Sequence, residues 1–172
     1  KGGMMVAGPD WGWTRDAVID LLSAGFEAVK DRPPDDRLPY ANRALVWDVL
    51  RPLTEDPKLS AQDELGEKFD PAFLSINSTR GRAIDAVVDY AWWVRRCTDA
   101  ERKESGQPPV TFDAMPEVRE VLDTHLDIEK EPTLTIRSLY GRHLTSFASL
   151  DWDWLRTNVD RILPPGQDDA PR

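Results

Sequence analysis

Prolines cut the hydrophobic pattern of this chain into five uninterrupted windows, at 10–32, 40–51, 72–107, 117–131 and 133–163. Proline inside a helix removes a hydrogen bond and clashes with the preceding turn, so these windows mark where helices can form. In each one the apolar residues recur at the 3.6-residue spacing of a helix, and none shows the alternation of a strand. The first carries Val18, Leu22, Phe26 and Val29, with Thr14 placed to cap its start. The second carries Val46, Val49 and Leu50 beside Trp47, and Leu53 extends the stripe past Pro52. The fourth aligns Met115, Val118, Leu122 and Leu126 behind Asp113, a cap, and Pro116, a first-turn proline. Asp151 splits the fifth: Leu139, His143, Phe147 and Leu150 line its first part, and Trp152, Leu155, Val159 and Ile162 its second.

The third window is the most informative. Ile84, Val87, Val88, Ala91 and Val94 form one apolar stripe, and Ala86, Tyr90, Trp93 and Cys97 a second. Arg82, Asp85, Asp89 and Arg96 form a narrow polar stripe between them, with members spaced to pair along the helix. A helix apolar on two sides is packed on two sides. The pattern therefore predicts a central helix of about 25 residues from near Asn77 to before Gly106.

The segment 74–84 aligns without gaps on 134–144: Leu, Ile, Ser, Gly and Arg repeat, and Trp92 falls on Trp152. This echo predicts a repeated helix start, in which Ser78 or Ser138 caps and Gly81 or Gly141 admits a neighbouring helix. Pairing each long helix with its successor gives 14–30 with 40–53, 77–103 with 114–126, and 137–150 with 152–162. The expected fold is all-α: about six helices as three stacked helical hairpins, a HEAT/armadillo-like α-solenoid fragment. The whole of 1–172 reads as one α-helical domain, with mobile loops at 54–72 and 99–113 and a tail at 164–172.

The strings at 74–83, 136–142 and 150–154 resemble segments of large bacterial multidomain proteins that carry an NTPase region with helical repeats in the remainder. That group includes defence and signalling proteins. The resemblance covers roughly residues 70–163 and implies a helical-repeat segment without a reaction of its own. A phosphate-binding glycine loop ending in Lys-Ser or Lys-Thr does not occur, so any NTPase activity would belong to other parts of a parent chain. The first residue is Lys1, and the Lys-Gly-Gly-Met-Met start reads as that of a piece excised from a longer polypeptide.

Composition narrows the partners. A formal charge of -9 opposes binding that neutralises nucleic-acid phosphates, and equally opposes adsorption to an anionic membrane. No apolar run is long enough to cross a bilayer, and no secretory signal is seen, so a cytoplasmic location is expected. The single cysteine, Cys97, excludes an internal disulfide and a thiolate zinc cluster. Cys97 falls on an apolar stripe and reads as buried and inert, although Arg95 and Arg96 precede it.

Little else carries chemistry. His125 lies between Asp123 and Asp127, which point away from it on a helix, and His143 reads as a satisfied core histidine. Ser146, one turn from His143, lacks the acid and oxyanion site that a nucleophile needs. Asp16 with Asp20 and Asp85 with Asp89 are carboxylate pairs one turn apart, and arginines on the Asp85 stripe make salt bridges the expected state there. Trp47, Trp92 and Trp152 read as core, whereas Trp11, Trp13, Trp93 and Trp154 are candidates to anchor a partner. The resulting expectation is a non-catalytic module binding a protein or another domain of its parent chain, without nucleic acid, membrane, metal or cofactor. Two alternatives are an all-helical enzyme using Asp85, Asp89 or Asp151, and a domain sensing an anion at Ser78 with Arg82 or Ser138 with Arg142.

Overall fold

The longest helix carries two apolar stripes, and both are buried except at Cys97, the end of the second. In the computed structural model, which describes residues 11–27, 38–56, 64 and 70–164, this helix spans Thr79–Glu104. Among the described residues there are eight α-helices and no strand: α1 Gly12–Phe26, α2 Arg43–Thr54, α3 Pro71–Asn77, α4 Thr79–Glu104, α5 Pro116–Leu126, α6 Leu134–Arg142, α7 Leu144–Leu150 and α8 Trp152–Ile162. Helices α1 and α2 pack mainly along α4, while α3, α5, α6 and α7 also reach it and α8 closes on α7 and α6. Ile84, Val87, Val88, Ala91 and Val94 are buried on one side of α4, and Ala86, Tyr90 and Trp93 on the other.

Helix α4 runs six residues further than a loop beginning at 99 allows. No glycine or proline occurs between Gly81 and Gly106, and Glu101-Arg102-Lys103-Glu104 are good helix formers. The helix stops where Gly106 takes a φ of +69°, with its amide donating to Lys103 O (3.2 Å) and the Gln107 amide to Arg102 O (2.8 Å). That pair of bonds is a Schellman stop, which needs a residue free to adopt the left-handed region. The segments 57–63, 65–69 and 165–172 lie outside the described residues, and with them most of the 54–72 loop and the tail.

Two starts match the sequence pattern and two do not. Asp151 caps α8, its carboxylate accepting from the Trp154 amide at 2.8 Å, and Pro116 occupies the first position of α5. Helix α1 starts at Gly12 behind Trp11, with no side-chain cap, so Thr14 is an internal residue. Asp113 precedes the true α5 cap position, Met115, and pairs with Arg119 instead. The helix expected at 137–150 is two, with a bend at His143, whose ring is tied to Asp85 on α4.

Stripe assignments hold for α4 up to Val94, for α5 and for α7, and shift in α1, α2 and α8. In α1 the deepest apolar residues are Ile19 and Phe26; Val29 lies outside the described residues. In α8 the buried side is turned from Trp152 and Val159 towards Trp154, Leu155, Asn158 and Ile162. Trp152 is 61% exposed and Trp154 only 4%, reversing the expected roles. The reason is aromatic packing: the Trp154 ring lies 5.3 Å from Phe112 and 5.2 Å from Phe147, and its Nε1 donates to Asp123 at 2.8 Å.

The sequence echo is partly structural. Its two copies meet, because α3 packs on α6 and the Ser138 hydroxyl donates to Pro71 O at 3.2 Å. Their local structures differ, however. Ser78 sits in the corner between α3 and α4 and accepts from the Gly81 amide at 3.1 Å, whereas Ser138 lies inside α6. A Cβ on Gly81 would stand 2.0 Å from Ser75 O, while one on Gly141 would meet nothing within 4 Å. Gly81→Ala is therefore expected to destabilise the fold by about 1–3 kcal/mol or more. Gly141→Ala should stabilise it by roughly 0.5–1 kcal/mol through helix propensity. Chemical denaturation of both variants checks the contrast, and equal effects at the two glycines would contradict it.

Candidate interaction site

Helix α2 is apolar on both its sides. Its inner side buries Val46 and Leu50 against α4, with Leu53 and Trp47 half-buried beside them. Val49, expected in the core, is 41% exposed and Leu45 64%. Ala41, Ala44, Leu45, Asp48, Val49 and Pro52 lie within one arc of the helix, and every one is exposed. Asp48 stands near the middle of that arc, and the exposed Arg51 flanks it one turn on.

Beside this face opens a groove of about 440 Å³, lined by Ala41 of the short turn before α2, by Ala44, Trp47 and Asp48 of α2, and by Tyr90 of α4 and Glu117 of α5. Arg43 forms its floor and is fully engaged. Its Nε donates to Glu117 Oε1 (2.9 Å) and Tyr90 Oη (3.1 Å), its Nη1 to Tyr40 Oη (2.9 Å), and its Nη2 to Ala114 O (3.1 Å) and Glu117. Tyr90 Oη also donates to Glu117 at 2.9 Å. Burial pushes the Tyr90 hydroxyl well above the usual tyrosine range; the Arg43 bond opposes this and the Glu117 charge adds to it. These bonds fix α2, α4 and α5 relative to one another, giving the groove a rigid wall. Trp47 and Tyr90 pack with ring centroids 5.1 Å apart and planes tilted by 44°, within the aromatic group that includes Phe26 and Trp93.

Elsewhere the charged residues pair off. Arg82 reaches across to Asp16 (3.4 Å) and Asp20 on α1 rather than along its own helix. Asp85 holds Arg142 and His143 Nε2 (2.7 Å), so the two anion-site arginines are both occupied by carboxylates. The serines of that reading are occupied too, since Ser138 also donates to Thr135 O at 2.8 Å. Ser146 makes no hydrogen bond to His143 among the described residues. Both Asp151 oxygens accept backbone amides, from Trp154 and from Phe112 (3.1 Å). Asp89 is raised from the usual carboxylate range, first by burial and then by the Asp85 charge. Cys97 is exposed on the flank of α4, not buried. Its neighbours still desolvate the sulfur enough to raise its pKa, against the pull of Arg96, so it is no activated thiol.

The most buried polar cluster has no signature in the sequence. Arg80 donates to Glu131 at 2.9 Å and through Nε to Asp56 O at 2.9 Å, and Arg15 pairs with Asp56 at 2.8 Å. Glu131 also accepts from the Thr133 hydroxyl, and His125 Nδ1 lies 3.2 Å from it. His125 thus turns to Glu131, not to Asp123 or Asp127, while its Nε2 makes no hydrogen bond among the described residues and lies 3.9 Å from Glu55 Oε1. Among the described residues no group of three or more such side chains is placed to hold a metal ion.

Burial alone would raise the Glu131 carboxyl, but bonds with His125 and Thr133 and the Arg80 charge outweigh it and hold the pKa below the usual glutamate value. A depressed folded-state pKa contributes stability that is present above the unfolded value and lost as pH falls through the folded one. Acid unfolding should therefore steepen below about pH 4.3, the ordinary glutamate pKa. Glu131→Gln should cost about 3 kcal/mol at neutral pH by stranding Arg80, and should flatten that acid dependence. Denaturation across pH reads both effects; an unchanged acid profile in the variant would contradict the assignment.

No protein-family model, curated protein or solved structure matches this chain.

Proposed function

We propose that this chain is a non-catalytic helical module that binds another protein, or another domain of its parent chain, through the outer face of α2 and the adjoining groove. The observation that carries this reading is the apolar outer side of a helix whose inner side already fills the core. A surface helix of a globular protein normally turns charged residues outward, and a helix apolar all round is covered on both sides. A groove with aromatic walls beside that face supplies the pocket that interface anchors fill.

Helix α1 offers a second such stripe. Trp13 is 85% exposed and Leu21 74%, with Ala17 and Ala24 between and beyond them on the same side. Trp13 and Trp11, exposed as a partner anchor must be, support the interaction reading. The finer architecture, stacked hairpins of a helical repeat from a larger bacterial NTPase-type protein, draws its support from the 74–84 and 134–144 echo and from the contact between its copies. The pairing of α7 with α8 also fits a hairpin. A cytoplasmic setting suits the single free thiol.

One observation favours an enzyme working through carboxylates: Asp89, with its raised pKa, borders a cavity shared with Phe26, Glu27, Trp92 and Arg96. That cavity measures about 120 Å³, against the roughly 300–1,000 Å³ of ordinary ligand pockets, so the interaction reading is preferred.

The test is comparative capture from lysate of the source cells, followed by titration of the purified partner. Leu45→Glu and Val49→Asp should leave Tm within a few degrees, because both side chains are exposed, yet weaken a bound partner about 30-fold or more. A partner that binds both variants as tightly as the native chain would contradict the assignment of this face.

A further inference from the structure

The charge at the centre of the α2 face identifies the kind of partner it fits. Taking that face as the docking surface, we infer that its occupant is an amphipathic helix of a different polypeptide, carrying one basic side chain that enters the groove beside Asp48. Covering the face with apolar surface alone would bury the Asp48 carboxylate without compensation, a large penalty. Among the described residues the nearby cations of the chain are tied to other partners. Arg43 is held by Glu117, Tyr90, Tyr40 and Ala114 O, and Arg51 pairs with Glu120 at 3.1 Å. With both held in this way, the counter-charge is assigned to the occupant.

A second copy of this chain fits poorly. Antiparallel pairing of two α2 helices about their midpoint brings two Asp48 carboxylates within about a turn of each other, in a seam without an unpaired cation among the described residues. The formal charge of -9 adds long-range repulsion between copies, and the same charge attracts a basic partner. The groove suits a cation in a further way. The ring of Trp47 walls it, and a guanidinium or ammonium over an indole face is attracted by the ring quadrupole. Leucine-sized side chains one turn either side of that cation on the incoming helix then reach Leu45 and Val49, which are spaced i, i+4.

Two synthetic helices of about five turns test this, identical except that one carries arginine and the other glutamate at the position facing the groove. Each is titrated onto the isotope-labelled full chain while the amides of α2 and the Trp47 indole are followed by NMR. The arginine peptide should shift Leu45, Asp48, Val49 and Trp47 and bind at least tenfold tighter than its twin, with the difference shrinking in high salt. Asp48→Lys should reverse the preference.

Equal binding of the two peptides, or a preference that survives Asp48→Lys, would overturn the inference. So would binding by neither peptide, or a dimer in sedimentation that Leu45→Glu dissolves. Each of these outcomes leaves the docking reading itself to be judged by its own partner and the Leu45→Glu variant.

Discussion

A 26-residue helix with two apolar sides cannot be solvated along either, and this constraint on α4 organises the molecule. Each fully buried large apolar side chain contributes about 1.5–3 kcal/mol relative to exposure. The buried residues on the two sides of α4 therefore outweigh the 0–1 kcal/mol typical of any single surface salt bridge. Tyr90 and Trp93 on one side gather Phe26, Trp47 and Tyr40 into an aromatic group. A separate group of Phe112, Tyr140, Phe147 and Trp154 ties α6, α7 and α8 together, with the Tyr140 hydroxyl bonded to Leu122 O of α5 at 2.7 Å. Packing around one shared helix leaves the outer sides of α1 and α2 turned away from the core.

Polar groups set the register of that packing rather than its strength. Arg43 bridges α2 to α5 through Glu117, Arg82 ties α4 to α1, Asp85 ties it to the α6–α7 bend, and Arg80 joins it to Glu131 and to the end of α2 near Asp56. Burying a charge such as Glu131 is costly unless it is paired and hydrogen-bonded, and here both conditions are met. The same pairing takes up most of the candidate charged residues: Asp16, Asp20, Asp85, Arg82, Arg142 and Asp151 are all engaged in holding helices. Asp48, by contrast, makes no ion pair among the described residues and stands in the middle of an apolar face.

What could be read from the chain follows the range of the interactions involved. The two stripes of α4, its stop at Gly106 and the Asp151 cap are local patterns, and they are where the sequence places them to within a few residues. Trp152 and Trp154 stand two residues apart on one short helix, and the choice between them is made by Phe112 and Phe147, which are distant or on another helix. Gly81 and Gly141 sit in matching strings, yet only Gly81 faces the Ser75 carbonyl, because the α3–α4 corner falls at Ser78 while α6 runs on through Ser138. Val46, Leu50 and Leu53 of α2 turn to the core as the spacing predicts, whereas Val49, grouped with them, lies outward beside Leu45; apolar residues at 41, 44, 45 and 49 offer a second face, and the contact with α4 decides. That doubled pattern was nonetheless the available signal for the interaction face. No spacing pointed to the joining of Arg80, Asp56 and Glu131 across the fold.

The central claim is that the outer side of α2 stands open, and the most direct measurement of it is methyl NMR of the whole chain with a soluble nitroxide added. The account predicts strong broadening of the Leu45 and Val49 methyls while those of Val46 and Leu50, a few residues away on the same helix, stay sharp. Protection of Leu45 and Val49 equal to that of Leu50 would mean that this face is already covered, and would contradict its role as a docking surface.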